Sequence, residues 1–331
     1  MTNATLDRVL AVLIVAMVTT GLLTLRAGAP ETAWLFTAHA ILAGSLLAAT
    51  ALKLRGSIPR AIRAARWRRL AIGLLVSILT IAAISGGLLW VASGELISLG
   101  SWTVLTLHAW VGLVLGPLVV VHLLPHRWRL LRPRRLRSTS GALLSRRSVL
   151  VGAALALGGV GTFSATRLIE RARGGERRFT GSRWLPTGGI PPATTFLGEG
   201  TPLIDPDGWR MTVAAGDGAK REWSLADLRS LGEVDLTAVL DCTSGWVLET
   251  AWRGVPLRAL LGGIASTTGM RVASVTGWVT FLTPDEVDSA FLATGVAGAD
   301  LPAANGAPCR LVVPDRRGVD WVKWVTDVRP A

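Results

Sequence analysis

The sequence predicts two halves of different fold class. Residues 1–175 read as an N-terminal all-α transmembrane four-helix bundle plus one anchor helix, and residues 176–331 as a C-terminal α+β domain outside the membrane. Three observations predict this. Apolar runs of about twenty residues, the length that crosses a bilayer, occur only in the first half. The charge divides at the same place: residues 1–175 carry 20 Lys and Arg against 4 Asp and Glu, a net of +16, and residues 176–331 carry 15 against 18, a net of −3. Beyond residue 175 the apolar stretches shorten and Pro and Gly punctuate them, as in a domain of short strands and helices.

Four apolar runs come first, at about 9–25, 33–52, 70–91 and 102–124. Lys53, Arg55, Arg60, Arg63, Arg66, Arg68 and Arg69 lie between the second and third. Arg127, Arg129, Arg132, Arg134, Arg135, Arg137, Arg146 and Arg147 follow the fourth, and the other two connections hold only Arg26. The positive-inside rule then puts the N-terminus and both basic loops in the cytoplasm. Trp34, Trp90 and Trp102 mark the outer interface, with Trp67 and Trp128 at the inner one. The basic excess is therefore topological, which argues against nucleic acid as a partner and for the lipid bilayer.

Residues 126–175 read as a basic loop, a fifth span and a tether. The span, 148 to about 165, begins directly after Ser145-Arg146-Arg147-Ser148. A paired arginine before a Gly/Ala-rich apolar stretch looks like a twin-arginine export signal inside the chain, although an ordinary basic flank has the same charge. No convincing small-x-small site follows, so the span is expected to stay as an anchor. Five spans place residues 176–331 on the extracytoplasmic face of a multi-pass cytoplasmic-membrane protein.

All four histidines, His39, His108, His122 and His126, lie in the membrane half, where ligating residues are functional candidates by default. His39 and His108 each stand six residues below the outer end of a span, so both lie about 9 Å into the core. Matched depth on two helices is the geometry of bis-histidine haem b ligation, with Gly44, Gly112 and Gly116 leaving room for a porphyrin. His122 is fourteen residues after His108, a spacing similar to that of two-haem cytochrome b bundles, but fourteen after His39 stands Lys53. One haem, held by His39 and His108, is therefore expected. His122 and His126 read as interfacial residues, and interhelical hydrogen bonding is the alternative for the first pair.

In the second half, strands are predicted at 209–214, 237–241, 272–274, 278–282 and 310–313, and helices at 224–231, 257–261 and 284–293. Turns fall at Asp205-Pro-Asp-Gly208 and Asp217-Gly218. Arg167 to Arg173 and Gly174-Gly175 form the tether. Cys242 stands where the strand ending at Asp241 meets a glycine-containing turn. Local spacing alone favours a small buried hydrophobe. A thiolate at a strand end can also offer one soft ligand to a metal, but one cysteine cannot hold zinc or an iron–sulfur cluster. A metal at Cys242 needs a cofactor to complete its shell. The only other cysteine is Cys309, and a bridge between the two would consume the ligand.

Four motifs occur in one order: Cys242-Thr-Ser-Gly-Trp246, Trp252-Arg-Gly-Val-Pro-Leu257, Asn305-Gly-Ala-Pro-Cys-Arg310 and Gly318-Val-Asp-Trp-Val-Lys-Trp324. The series resembles the molybdopterin-binding domain of the sulfite oxidase and protein-methionine-sulfoxide reductase superfamily over residues 176–331, here following a cytochrome b-like membrane bundle. The resemblance implies Mo-molybdopterin as cofactor, with Cys242 as the catalytic protein thiolate on molybdenum. Asn305 and Arg310 match its pterin and phosphate contacts, and Trp321, Val322 and Lys323 its phosphate-binding loop. Ser274 or Thr276 adds a contact. Arg178, Thr180, Gly181 and Ser182 fall at the family's first pterin-contacting segment.

The departures bear on substrate. Animal and plant sulfite oxidases have arginines after the cysteine and an active-site tyrosine; here Thr243-Ser-Gly-Trp246 follows, and the chain has no tyrosine. The Cys-x-x-x-Trp pattern sits closer to the methionine sulfoxide reductase branch. The expected function is two-electron oxygen-atom transfer on a small or protein-bound S- or N-oxide, exchanging electrons through haem b with a quinone pool or redox protein. The alternative is a haem-binding electron-transfer or sensory membrane protein with a non-catalytic external domain.

Overall fold

The computed structural model describes residues 3–100, 102–123, 146–173, 176–194, 199–214, 219–261 and 269–331. The basic loop at 124–145 with His126, the Gly174-Gly175 joint and the Asp217-Gly218 turn lie outside these residues, as do the side chains of Arg146 and Arg147. Contacts divide the chain into two units, residues 1–25 with 30–181, and residues 26–29 with 182–331.

The first unit holds α1 (Asn3–Thr24), α2 (Ala33–Arg63), α3 (Trp67–Ala92), an antiparallel pair β1 (Ser98–Leu99) and β2 (Trp102–Thr103), α4 (Val104–Leu123) and α5 (Arg146–Arg173). Each helix contains a stretch long and apolar enough to cross a membrane. The helix expected as an anchor, α5, packs directly on α2. Ser45 Oγ donates to Leu155 O at 3.0 Å. A Cβ on Gly159 would lie 2.5 Å from Ile41 O, and one on Gly44 2.9 Å from Thr162 Cβ. Small residues let the two backbones approach, which is how helices associate where lipid removes the hydrophobic drive.

The second unit has two sheets. The first runs β11 (Ala299–Asp300), β10 (Phe291–Val296), β7 (Trp246–Pro256), β3 (Arg183–Trp184), with β12 (Arg310–Val312) on β10 and β6 (Val234–Asp241) on β7. The second runs β5 (Lys220–Trp223), β4 (Met211–Ala214), β13 (Val325–Pro330), β8 (Met270–Ser274), β9 (Val279–Leu282). Short helices α6 (Leu225–Ser230), α7 (Leu257–Leu260) and α8 (Pro284–Ser289) join them. Ser224 and Thr283 start α6 and α8 with reciprocal capping boxes. The helix expected over 284–293 stops at Ser289: Ala290 is extended, and 291–296 is the wholly buried β10. β7, paired on several sides, shows no clean alternation, and Gly254 lies where a Cβ would strike Leu292 O of β10. Trp252, Val255, Leu292, Leu311 and Trp321 form the core around them.

Residues 26–29 belong to this second unit through backbone contact. Ala27 forms an antiparallel bridge with Arg316, and a Cβ on Gly28 would lie 2.5 Å from Asp315 O. Arg26 Nε stands 3.6 Å from Asp320 Oδ1.

Candidate functional site

Cys242 is held by the tight connection from β6 to β7. The last ladder pair is Asp241 with Val247. Cys242 N–H then donates to Trp246 O at 2.9 Å, and Gly245 N–H donates to Cys242 O at 2.9 Å. Gly245 closes the turn at φ 99°, a left-handed conformation that glycine adopts without cost. The sulfur is half-buried, 2.9 Å from Ser244 Oγ and 3.3 Å from Thr194 Oγ1. Cys309 is different: it is fully buried, and burial pushes its thiol well above the usual range. Both cysteines are free, so no bridge consumes the candidate ligand.

Beneath the turn lies a buried ion pair. Arg317 Nη2 is 3.2 Å from Asp241 Oδ1 and 3.0 Å from Cys242 O. Ser182 Oγ donates to Asp241 Oδ1 at 2.6 Å and accepts from Arg317 at 3.2 Å.

Arg310 and Lys323 meet because residues 309–311 run beside 322–325: Leu311 N–H donates to Val322 O and Val325 N–H to Cys309 O. Gly306 permits it at φ 117°, since a Cβ there would sit 3.1 Å from Lys323 Cα. Arg310 is buried over the rings of Trp252 and Trp321, at 5.4 and 5.9 Å. Its Nη1 donates to Asn305 O at 2.9 Å, and its Nε has no partner among the described residues. Lys323 Nζ donates to Thr194 O at 2.6 Å and Ala304 O at 2.7 Å. Burial, then the charge of Arg310, pushes the Lys323 ammonium down to about 8, against the pull of Cys242 and Glu199. Burial likewise lowers Arg310 to about 10, with Cys242 opposing. Neither cation forms an ion pair among the described residues; their hydrogen bonds go to carbonyls. Two half-compensated cations beside a thiol call for an anion.

The other expected residues divide. Asn305 is buried, and its Nδ2 donates to Pro191 O at 2.9 Å, bringing segment 191–194 to the site. Ser274 and Thr276 form a hydroxyl pair at 3.0 Å, and Thr276 donates to Glu199, the acid whose charge Lys323 senses. Trp321 and Val322 are core residues, 1% exposed, with Trp321 Nε1 donating to Arg316 O. Ser182 is fully buried with Asp241. Arg178, Thr180 and Gly181 group with the first unit, where Trp90 Nε1 donates to Gly181 O at 3.0 Å and Phe179 meets Phe36 edge-on. Thr194, Ser244, Asp241 and Arg317 were not anticipated. The one available signal was an acid and a basic pair, Asp241 and Arg316-Arg317, set inside otherwise apolar motifs.

In the first unit, His39 and His108 face one another, ring centroids 6.1 Å apart and planes at 87°. His108 Nδ1 donates to Ala83 O at 2.6 Å. His39 Nδ1 lies 2.9 Å from Thr20 Oγ1, which is also 2.8 Å from Ala16 O and 3.1 Å from Met17 O. The bond to Ala83 O sets His108 with Nε2 as its lone-pair nitrogen.

Residues 198–330 match the family model described as the oxidoreductase molybdopterin binding domain. The C-terminal half belongs to the molybdopterin-binding superfamily of sulfite oxidase and protein-methionine-sulfoxide reductase. Its relatives include the protein-methionine-sulfoxide reductase catalytic subunit MsrP of Xanthomonas axonopodis pv. citri, 29% identical over 36% of this chain and 44% of that protein. MsrP of Xanthomonas campestris pv. campestris is 32% identical over 27% of this chain and 34% of its own length. The chain thus spans less than half the length of the curated relatives it matches. Among solved structures, the sulfane dehydrogenase SoxCD from Paracoccus pantotrophus is similar at 22% identity and a TM-score of 0.37, over 40% of each chain.

The residues present fit a molybdenum cofactor of this superfamily. Among the described residues no three His, Cys, Asp or Glu side chains gather to hold a metal; Cys242 offers one soft sulfur, and the cofactor would complete the shell of a metal bound there. The unpartnered Arg310 Nε and the depressed Lys323 ammonium suit an anionic, phosphate-bearing one.

Proposed function

We propose that this chain is a membrane-anchored, molybdenum-dependent oxidoreductase that reduces sulfoxides, with methionine sulfoxide in proteins as the favoured substrate. The observation that carries the reading is the convergence of one half-buried thiol with two cations that form no ion pair among the described residues. The molybdenum cofactor supplies two-electron oxygen-atom transfer when bound. Cys242 gives the metal its protein thiolate, while Ser244 and Thr194 place hydroxyls beside that sulfur. Arg310 and Lys323 hold the cofactor's negative charge, and Asn305 ties down the segment bearing Thr194. The names of the MsrP relatives and the Cys-x-x-x-Trp pattern support sulfoxide as substrate.

The first unit serves as electron relay in this reading, with one haem b between His39 and His108 carrying single electrons from a quinone pool or redox protein. The facing of the two rings, with centroids 6.1 Å apart, supports His39 and His108 as the pair that would hold it. The basic loops support an N-terminus inside and residues 176–331 on the extracytoplasmic face. Elemental analysis and a visible spectrum of the purified full chain test both parts. About one molybdenum per chain, lost in Cys242→Ser, is expected, together with a Soret band lost in His108→Ala. Full metal loading in the cysteine variant defeats the first assignment, and an absent Soret band the second.

A further inference from the structure

We infer that Arg317, with Asp241 and Ser182, is a buried clamp that fixes how the Cys242 turn presents its sulfur. The inference rests on the proposed role of Cys242 as metal ligand and adds the residues that position it.

Arg317 and Asp241 side chains are 4% and 0% exposed. A buried pair of this kind is seldom a net source of stability, because apolar residues of equal volume serve as well. What this pair does is directional. Arg317 Nη2 carries two hydrogens and stands within 3.2 Å of three acceptors, Asp241 Oδ1, Ser182 Oγ and Cys242 O. The Cys242 carbonyl thus receives Gly245 N–H from inside the turn and the guanidinium from beneath it, while Cys242 N–H is held by Trp246 O. Both backbone polar groups of the ligand residue are fixed, and only the side-chain torsion is left. The backbone is shaped for this contact. Asp241 and Arg317 form an isolated parallel bridge. At the next residue, Gly318, a Cβ would come within 3.0 Å of Leu240 Cδ1 and 3.6 Å of Cys242 Cα. Glycine lets this strip of chain run close under the turn. Asp241 holds the guanidinium in place, and Ser182, directly before β3, ties the same node to a third segment.

The test uses the full chain in detergent with Arg317→Gln, Arg317→Lys, Ser182→Ala and the double variant Asp241→Asn with Arg317→Gln. Three quantities are read: molybdenum content, the Mo(V) electron paramagnetic resonance spectrum of the loaded protein, and the maleimide alkylation rate of Cys242 in the cofactor-free chain. Cys309 is buried and stays silent. Arg317→Gln is expected to shift or broaden the Mo(V) spectrum and to speed alkylation about five-fold, the factor for one lost hydrogen bond. Arg317→Lys, which keeps the charge and a donor, should recover part of both. The double variant, free of any unpaired buried charge, should regain thermal stability without regaining either signature. Wild-type spectra and alkylation rates in the double variant overturn the clamp. Should Arg317→Gln fail to accumulate, Ser182→Ala decides: a smaller shift in the same direction supports the clamp, and no shift overturns it. A wild-type chain without molybdenum defeats the ligand reading instead, and the alkylation rates then judge the clamp alone.

Discussion

Raising the pH above 8 should stabilise the cofactor-free C-terminal unit, through Lys323. Its ammonium ordinarily releases its proton near 10.5, but burial and Arg310 bring this down to about 8 in the folded chain. Between those values the unfolded state holds a proton that the folded state has lost, so stability rises with pH and the gain is absent below 8. The full interval is about 2.5 units, a ceiling of about 3 kcal/mol at 1.36 kcal/mol per unit. Water reaching the half-buried side chain reduces this to about 1–2 kcal/mol. Cys309 acts in the opposite sense: its raised thiol stays protonated in the fold while the unfolded thiol ionises near 9, so stability falls above that pH. The experiment is therefore made in a Cys309→Ala background, comparing Lys323 with Lys323→Met. Urea unfolding is followed from pH 7 to 10.5 by the fluorescence of the buried Trp209, Trp223, Trp246, Trp252, Trp321 and Trp324. The chain has no tyrosine to titrate in this range. A stability difference between the two proteins that does not change with pH refutes the account. In loaded protein the gain should shrink, because the bound anion restores the ammonium.

Three further outcomes follow from the same geometry. Gly306→Ala, forced to φ 117° with its new methyl 3.1 Å from Lys323 Cα, should lose about 1–3 kcal/mol in chemical denaturation and much of its molybdenum. Gly159→Leu should separate α5 from α2, read as a lower melting temperature of the detergent-solubilised chain, because Ile41 O and Ser45 occupy the space the side chain needs. Thr20→Val removes the hydroxyl beside His39 Nδ1; under the haem reading it should shift the haem midpoint potential while keeping the Soret band, and an unchanged potential would count against Thr20 as the ring's partner.

The long apolar helices of the first half were legible because the length of an apolar run is a local property of sequence. What sequence could not show was that α5 packs into the bundle, since Gly159 and Ser45 look like any small residues until their backbones meet. In the second half, the helices α6 and α8 were expected near where they stand, although α8 was expected to continue to residue 293. The central strands β7 and β10 were not, because strands covered on both faces lose the alternation that identifies them. Cys242, Arg310 and Lys323 were visible only as separate motifs, because they stand in a turn, at the start of β12 and in a loop that only the fold brings together. Its underside was hidden: nothing local distinguishes the buried Arg317 from the half-buried Arg316 beside it, whose guanidinium pairs with Glu286.

Residues 26–29, within the connection from α1 to α2, carry a practical consequence for anyone wishing to handle the C-terminal unit alone. A gene fragment begun at residue 182 would leave Arg316 without the backbone partner supplied by Ala27 and would strip Arg26 from Asp320, directly next to the arginine under the cysteine. Such a truncation is expected to loosen residues 315–317 and bind its cofactor poorly. Supplying the missing tetrapeptide, either spliced on through a linker or added as a synthetic peptide, should mend it.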